Sequence, residues 1–353
     1  MSSTIKPEPN RGRGALSSPP NRFFKLTVHR DPEAGIDEIS PKTEFLRDST
    51  KTIIAHNDSP DVGFATSVNP YRGCEHGCIY CFARPTHEYL DFSVGLDFET
   101  KILVKEDAPQ LLRAELSSKK WKPQLLAFSG VTDCYQPIER KLTLTRQCLE
   151  VCLDYRNPII IITKNNLVTR DTDILIEMAK FHCAAVFVSV TTLNPDLARI
   201  MEPRASIPER RLAAIETLSA AGIPVGVMVA PVIPGLTDHE IPNIVEAAAK
   251  AGAQHAGLTI VRLPYAVKEI FEQWLDEHFP ERKDKVLNHL RDMRGGKLNN
   301  NNFGERMGGD GPFAEQIESL FRISCRKSGI TNPELNLSTD SFRRPDDKQL
   351  QLF

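Results

Sequence analysis

The chain has almost no net charge: 44 Lys and Arg stand against 46 Asp and Glu, a formal balance of −2 over 353 residues. With a pI near 6.5, this argues against gripping nucleic acid by overall charge and leaves only a local basic surface for that purpose. Long apolar runs are also missing. The longest, Ile223–Leu236 (IPVGVMVAPVIPGL), is too short and too rich in proline for a membrane-spanning helix, so no membrane partner is expected. The opening MSSTIKPEPNRGRGALSSPP carries no apolar stretch and hence no secretory signal. The expectation is a cytoplasmic protein in a reducing compartment. There the eight cysteines are expected as metal ligands, core residues or reactive thiols, not disulfides.

What is present is the composition of an ordinary globular enzyme, 41% apolar and 25% charged. Residues 1–20, rich in Pro, Ser, Gly and Arg, are expected to form a mobile tail, with ordering against a neighbouring surface as the alternative. Over about 65–265, short apolar runs alternate with helical patterns. The runs are Ala65–Asn69, Leu125–Gly130, Pro158–Lys164, Ala184–Thr191, Pro224–Ala230 and Gly257–Leu263. Their β-branched, continuously apolar character suits strands buried on both faces of a parallel sheet. Ser206 with Glu209, and Thr237 with Glu240, read as capping boxes, and Gly222 and Gly252 as helix stops. The predicted fold is α/β: a partial (β/α)6 TIM-like barrel over 21–264, with a preceding N-terminal segment. A mostly helical extension follows over 265–330 around an irregular polar centre (295–311), then a polar tail over 331–353.

Within YRGCEHGCIYC (71–81), Cys74, Cys78 and Cys81 are spaced C-x3-C-x2-C, with no fourth cysteine before Cys134. Three thiolates can hold three irons of a [4Fe–4S] cube and leave the fourth iron open to a small molecule. An open coordination place marks a catalytic site rather than a structural one. Gly73 and Gly77 would let the loop turn tightly around the cube. Two other readings use the same residues: a Cys3His zinc site completed by His76 or His87, and a fully ligated electron-transfer cluster. Cys148, Cys152, Cys183 and Cys325 lie on apolar patterns and read as core.

Cys74, Cys78, Cys81 and the aromatic Tyr80 before the third cysteine resemble the signature of the radical S-adenosylmethionine (SAM) superfamily. The resemblance implies a [4Fe–4S] cluster and SAM as cofactors, and reductive cleavage of SAM to a 5′-deoxyadenosyl radical. It further implies an electron donor such as flavodoxin or ferredoxin, and a position beside the adenine for Tyr80. In parallel β/α barrels the chemistry gathers at the C-terminal ends of the strands. Those ends carry Thr132 and Asp133, Lys164, Ser189 and Thr191, and Arg262. The Gly-Gly-Glu with which the family commonly holds the SAM amino group is absent, and SGVTDCYQPIE (129–139) stands in its place. Thr132 and Asp133 are the natural substitutes, because a hydroxyl and a carboxylate accept from an ammonium. Lys164 and Ser189 are candidates for the SAM carboxylate or ribose. For each, a helix cap or loop salt bridge is the structural alternative. Glu202 and Arg204 read either as a substrate clamp or as a surface ion pair.

Tyr71–Gly73, the SGVTD stretch and the proline-rich fifth strand resemble, more narrowly, the spore photoproduct lyase-like or DNA repair photolyase-like branch, over roughly residues 60–265. This implies a DNA substrate and a lyase or repair reaction. It also implies a hydrogen-donating cysteine three residues before the aspartate, where this chain has Gly130. Cys134 is the candidate replacement, and a buried thiol is the alternative. The final QLQLF resembles the pentapeptide with which bacterial repair proteins dock on the sliding clamp. Leu350, Leu352 and Phe353 would fill an apolar pocket while Gln349 bonds at its edge. The cations of 281–306 offer either a phosphate-tracking surface or a solvated helix face. The leading expectation is a radical SAM enzyme acting on DNA. The alternatives are radical SAM modification of RNA, a protein or a metabolite, and a non-catalytic iron–sulfur or zinc module.

Overall fold

The computed structural model describes residues 12–23 and 42–345. Its strands in chain order are β1 (Glu44–Arg47), β2 (Ile54–His56), β3 (Thr66–Val68), β4 (Tyr71–Arg72) and β5 (Lys101–Val104). They continue with β6 (Leu126–Phe128), β7 (Ile159–Thr163), β8 (Ala184–Ser189), β9 (Val225–Val232) and β10 (His255–Ile260). Seven strands form the main sheet in the order β10-β9-β8-β7-β6-β3-β2. From β3 to β10 every neighbouring pair is parallel; β2 joins the far edge antiparallel to β3. The sheet ends at β10 and β2, so it curves into an open, partial barrel. A smaller sheet, β1-β5-β4, is built from strands on both sides of the cysteine loop in sequence.

Sequence explains this arrangement locally. The runs IIIIT of β7 and AAVFVS of β8 are stiff, apolar and β-branched, and all of β8 is buried. The intervening helices turn an apolar stripe to the sheet. In Ile241–Lys250 the stripe is Ile241, Ile244, Val245 and Ala248, the spacing of one helical face. Core side chains of strands and helices join one continuous cluster.

Local signals failed where tertiary partners competed. Neither expected capping box forms. Helix Pro208–Ala220 has Ile207 at its N-cap, without a side-chain cap. Ser206 instead accepts from Asn166 N (2.9 Å) and donates to Asn165 (3.2 Å). Glu240 takes Thr192 Oγ1 (2.6 Å) and Leu193 N (2.7 Å).

After β10 come the helices Val267–His278, Lys283–Asp292 and Pro312–Lys327. The polar centre folds back onto the barrel mouth, where Ile260 N donates to Met307 O (2.9 Å). Residues 331–345 run along the barrel, with Phe342 beside the Tyr155 ring (6.2 Å) and Ser338 N on His182 O (2.9 Å). Residues 12–20, expected within a mobile tail, are packed. Ala15 is fully buried, and Gly14 N and Ala15 N donate to Glu99 at 2.9 and 2.8 Å. Gly14 fits because a Cβ there would lie 1.7 Å from Gly77 O. The QLQLF pentapeptide lies outside the described residues.

Candidate active site

The cysteine loop leaves β4 through Gly73, whose φ of 78° only glycine adopts easily, and turns again at Gly77 (φ 68°). Its backbone is pinned. Cys74 N donates to Phe98 O (2.9 Å), Ile79 N to Met201 O (3.1 Å) and Cys81 N to Cys78 O (3.2 Å). Cys74 and Cys78 are buried and Cys81 partly so. Burial pushes all three thiols up, and the neighbouring thiols and Asp133 push Cys74 further. Cys81 packs against the small cluster that contains Cys74. It also packs against the main core, which contains Cys78, and none of the three is paired as a disulfide. That donor set fits three irons of a cube, thiolates being the ligands such clusters prefer.

Among the described residues no three His, Cys, Asp or Glu side chains close on a single ion. His76 is spent elsewhere: Nε2 lies 3.1 Å from Asn165 Nδ2 and Nδ1 lies 3.4 Å from Asp133 Oδ2. His87 places Nε2 2.9 Å from Lys101 O.

Of the expected strand-end residues, Asp133, Lys164 and Thr191 meet this loop directly, and Thr132 and Arg262 meet its flanks at Tyr71 and Phe82. Asp133, just past β6, accepts from Thr163 Oγ1 (2.8 Å), Tyr135 N (2.9 Å) and Lys164 N (2.8 Å), besides facing His76. Thr132 donates to Tyr71 O (2.9 Å), which leaves its oxygen lone pairs as acceptors. The Lys164 ammonium reaches Ala230 O (3.3 Å) and lies 5.8 Å from the Tyr80 ring centre. Burial lowers its pKa, and Cys78, Asp133 and Cys81 act in the opposite sense. The side chain is half-buried, with Ala230 O as its hydrogen-bond acceptor and the Tyr80 ring as its aromatic neighbour. Ser189 closes β8; its carbonyl accepts from Arg211 (3.0 Å).

Tyr80 is anchored through its hydroxyl to Glu202 and lies 3.3 Å from Thr191 Oγ1. Glu202 in turn pairs with Arg211, both buried. The expected Glu202–Arg204 pair is therefore not formed. Arg204 pairs with Glu75 (3.1 Å), the residue after Cys74. Spacing alone missed these partners, along with Gln136, which accepts from Glu75 N (2.9 Å) and donates to Gly73 O (3.2 Å).

Cys134 does not join this gathering in an accessible form. It is fully buried, its thiol faces the hydroxyls of Ser129 and Thr145, and burial raises its pKa. Gly130, the place counted for a hydrogen-donating cysteine, has no room for a side chain: a Cβ would come 2.8 Å from Ser67 Cβ.

An open parallel β/α barrel with three thiols on one loop at its strand-end mouth defines a class, and comparison agrees. The sequence model of the Radical SAM superfamily matches residues 68–248, and the chain belongs to that superfamily. Membership implies a [4Fe–4S] cluster and SAM as cofactors. An uncharacterised protein of Mycobacterium tuberculosis is 38% identical over 220 residues, which cover 62% of this chain and 65% of that protein's length. A Pseudomonas phage M6 protein named radical SAM Nα-GlyT isomerase is 23% identical over 284 residues, covering 78% of this chain and 56% of its own. Among solved structures, spore photoproduct lyase complexed with a dinucleoside spore photoproduct superposes with a TM-score of 0.57 at 16% identity. That alignment covers 80% of this chain and 79% of that one, a likeness of fold.

Proposed function

We propose that this radical SAM enzyme acts on DNA, processing a modified or damaged base. Cys74, Cys78 and Cys81 would hold the cluster. When bound, the cluster supplies the electron that cleaves SAM to a 5′-deoxyadenosyl radical. The observation that carries the site assignment is the Lys164 ammonium, half-buried within electrostatic reach of Cys78 and Cys81, with one carbonyl at 3.3 Å as its hydrogen-bond acceptor. A carboxylate delivered there would compensate a cation that the fold leaves poorly solvated. In this reading Lys164 takes the SAM carboxylate and Thr132 accepts from the SAM amino group. Asp133, whose oxygens already hold protein donors, contributes its charge to the ammonium. Ser189 meets the ribose and Tyr80 lies against the adenine. Cys134 serves as a packed thiol, so hydrogen return comes from SAM-derived 5′-deoxyadenosine or from an external donor.

The DNA substrate is supported by the fold shared with an enzyme solved on a dinucleoside. Clamp docking through Gln349, Leu350, Leu352 and Phe353 belongs to the same proposal, as does electron supply from flavodoxin or ferredoxin. The test is anaerobic reconstitution with dithionite, SAM and deuterated DNA. Deuterium in 5′-deoxyadenosine is the expected result. Formation of 5′-deoxyadenosine without label from any DNA would overturn the substrate, and no 5′-deoxyadenosine at all would overturn the chemistry. For the tail, clamp retention should vanish on deleting residues 349–353, and equal retention would remove the docking role.

A further inference from the structure

Past the end of β10 lies a guanidinium that the described residues do not fully satisfy. Arg262 Nη1 touches the thioether of Met307 at 3.5 Å, a soft and weak acceptor, and the buried Nε has no partner. The guanidinium carbon lies 5.5 Å from the ring centre of Phe82, the residue directly after Cys81. This cation therefore borders the cluster loop at the substrate end of the barrel.

Its surroundings are cationic. Arg306 and Arg294 lie within electrostatic range. Arg306 is held by Asp61 and Ser59, and Arg294 by Val261 O (2.8 Å) and Arg306 O (3.1 Å). Asp61 is the carboxylate that acts on Arg262. The nearby Glu305 is taken by Asn300 (2.7 Å) and Asn302 (3.2 Å). Asp61 is thus spent on Arg306, and among the described residues Arg262 has no carboxylate of its own. Two aromatic faces stand open beside these cations: Phe82, 50% exposed, and Phe303, 53% exposed, with the Arg306 guanidinium 4.4 Å from its ring centre.

From this geometry we infer that Arg262 binds a backbone phosphate of a single nucleic-acid strand, with Phe82 and Phe303 as stacking faces for adjacent bases. A half-buried guanidinium with weakly satisfied donors matches a phosphate's paired oxygens. Exposed aromatic rings alternating with cations are how single strands are held without reading their sequence. An acidic peptide would satisfy the charge and leave both rings idle. The assignment rests on the nucleic-acid reading above and supplies its contact.

The test uses full-length, cluster-loaded protein and a fluorescein-labelled single-stranded DNA 12-mer, with anisotropy read across salt concentrations. Arg262→Gln should weaken binding about tenfold and reduce the slope of log K against log salt by about 0.7, the value of one phosphate contact on a single strand. Arg262→Lys should restore the slope without the full affinity, because the charge returns without the fork. Phe82→Leu should weaken binding with the salt slope intact, which separates stacking from charge and serves if Arg262 variants fail to load cluster. If wild type binds and Arg262→Gln and Phe82→Leu match it in affinity and slope, the Arg262 assignment is overturned while the DNA reading stands. If wild type itself does not bind the 12-mer, both fall. If poly-glutamate competes as well as unlabelled DNA, or if Arg262→Gln loses SAM affinity while keeping the 12-mer, the phosphate role is overturned.

Discussion

Replacing Glu99 by Ala tests how the cysteine loop is held. The carboxylate is fully buried in the helix Leu96–Thr100. It accepts from Gly14 N (2.9 Å), Ala15 N (2.8 Å) and Arg84 Nη2 (2.5 Å). Arg84 is itself fully buried and donates to the carbonyls of Cys78 (3.0 Å), Val94 (3.1 Å) and Gly95 (3.0 Å). Glu99→Ala leaves that guanidinium without its counter-charge, and breaking a buried pair this way costs ~3–5 kcal/mol. The two backbone donors add little, because residues 12–20 can swing into water once released. At an unfolding entropy of about 2.1 cal/mol/K per residue over 353 residues, the cost becomes a fall in Tm of ~4–7 °C. Anaerobic thermal unfolding followed by circular dichroism measures it, and limited proteolysis within residues 12–22 reports release of the segment. Glu99→Gln, which keeps the shape but not the charge, should fall between. A Tm within 1 °C of wild type (well below the ~4 °C expected), with residues 12–22 still protected, would refute the reasoning.

Three further outcomes are expected. Cys74→Ala should abolish the brown absorbance of the reconstituted cluster while Cys148→Ala keeps it; equal iron content in both would sink the ligand assignment. Asp133→Asn should weaken SAM binding about tenfold by removing a charge near the ammonium, with cluster absorbance retained; unchanged affinity in equilibrium dialysis rejects that role. Burial holds the His87 pKa at about 4 against an ordinary 6.5, so the folded protein keeps this ring neutral while the unfolded chain protonates first. Its stability contribution is complete above about 6.5 and is lost as pH falls toward about 4, by ~3 kcal/mol in all. Urea midpoints at intervals across that window should fall more steeply in wild type than in His87→Asn, and parallel curves would count against it.

The parts of this protein legible in sequence are those set by local pattern. Stiff β-branched runs marked the six parallel strands, and β8 begins where expected, at Ala184. The trio of cysteines needed no tertiary knowledge because all three stand on one loop. The illegible parts are pairings between distant residues. Nothing near Glu202 in sequence favours Arg211 over Arg204; the helix Pro208–Ala220 simply brings Arg211 to the carboxylate. Residues 12–20 look like a tail by composition, yet Gly14 has a place beside Gly77 that a side chain would occupy. The capping boxes misled for the same reason, since their side chains found better partners across the fold than along it.

These distant pairings converge on one object. Arg84 and Glu99 hold the Cys78 carbonyl, and Gln136 and Arg204 hold Glu75 beside Cys74. Glu202 holds Tyr80, and Asp133 with Asn165 holds His76. Buried ions are a weak way to gain stability, because desolvation offsets most of their attraction and apolar residues of equal volume often do as well. Their concentration around one short loop therefore calls for another cause. A cluster held by this loop would need SAM bound in one orientation, and small misplacements cost rate steeply. Directional hydrogen bonds fix a loop in a way that apolar packing does not. The loop is thus held for geometry at the expense of stability, and substituting one of its buried ionic anchors should disturb the reaction more than the melting temperature alone accounts for.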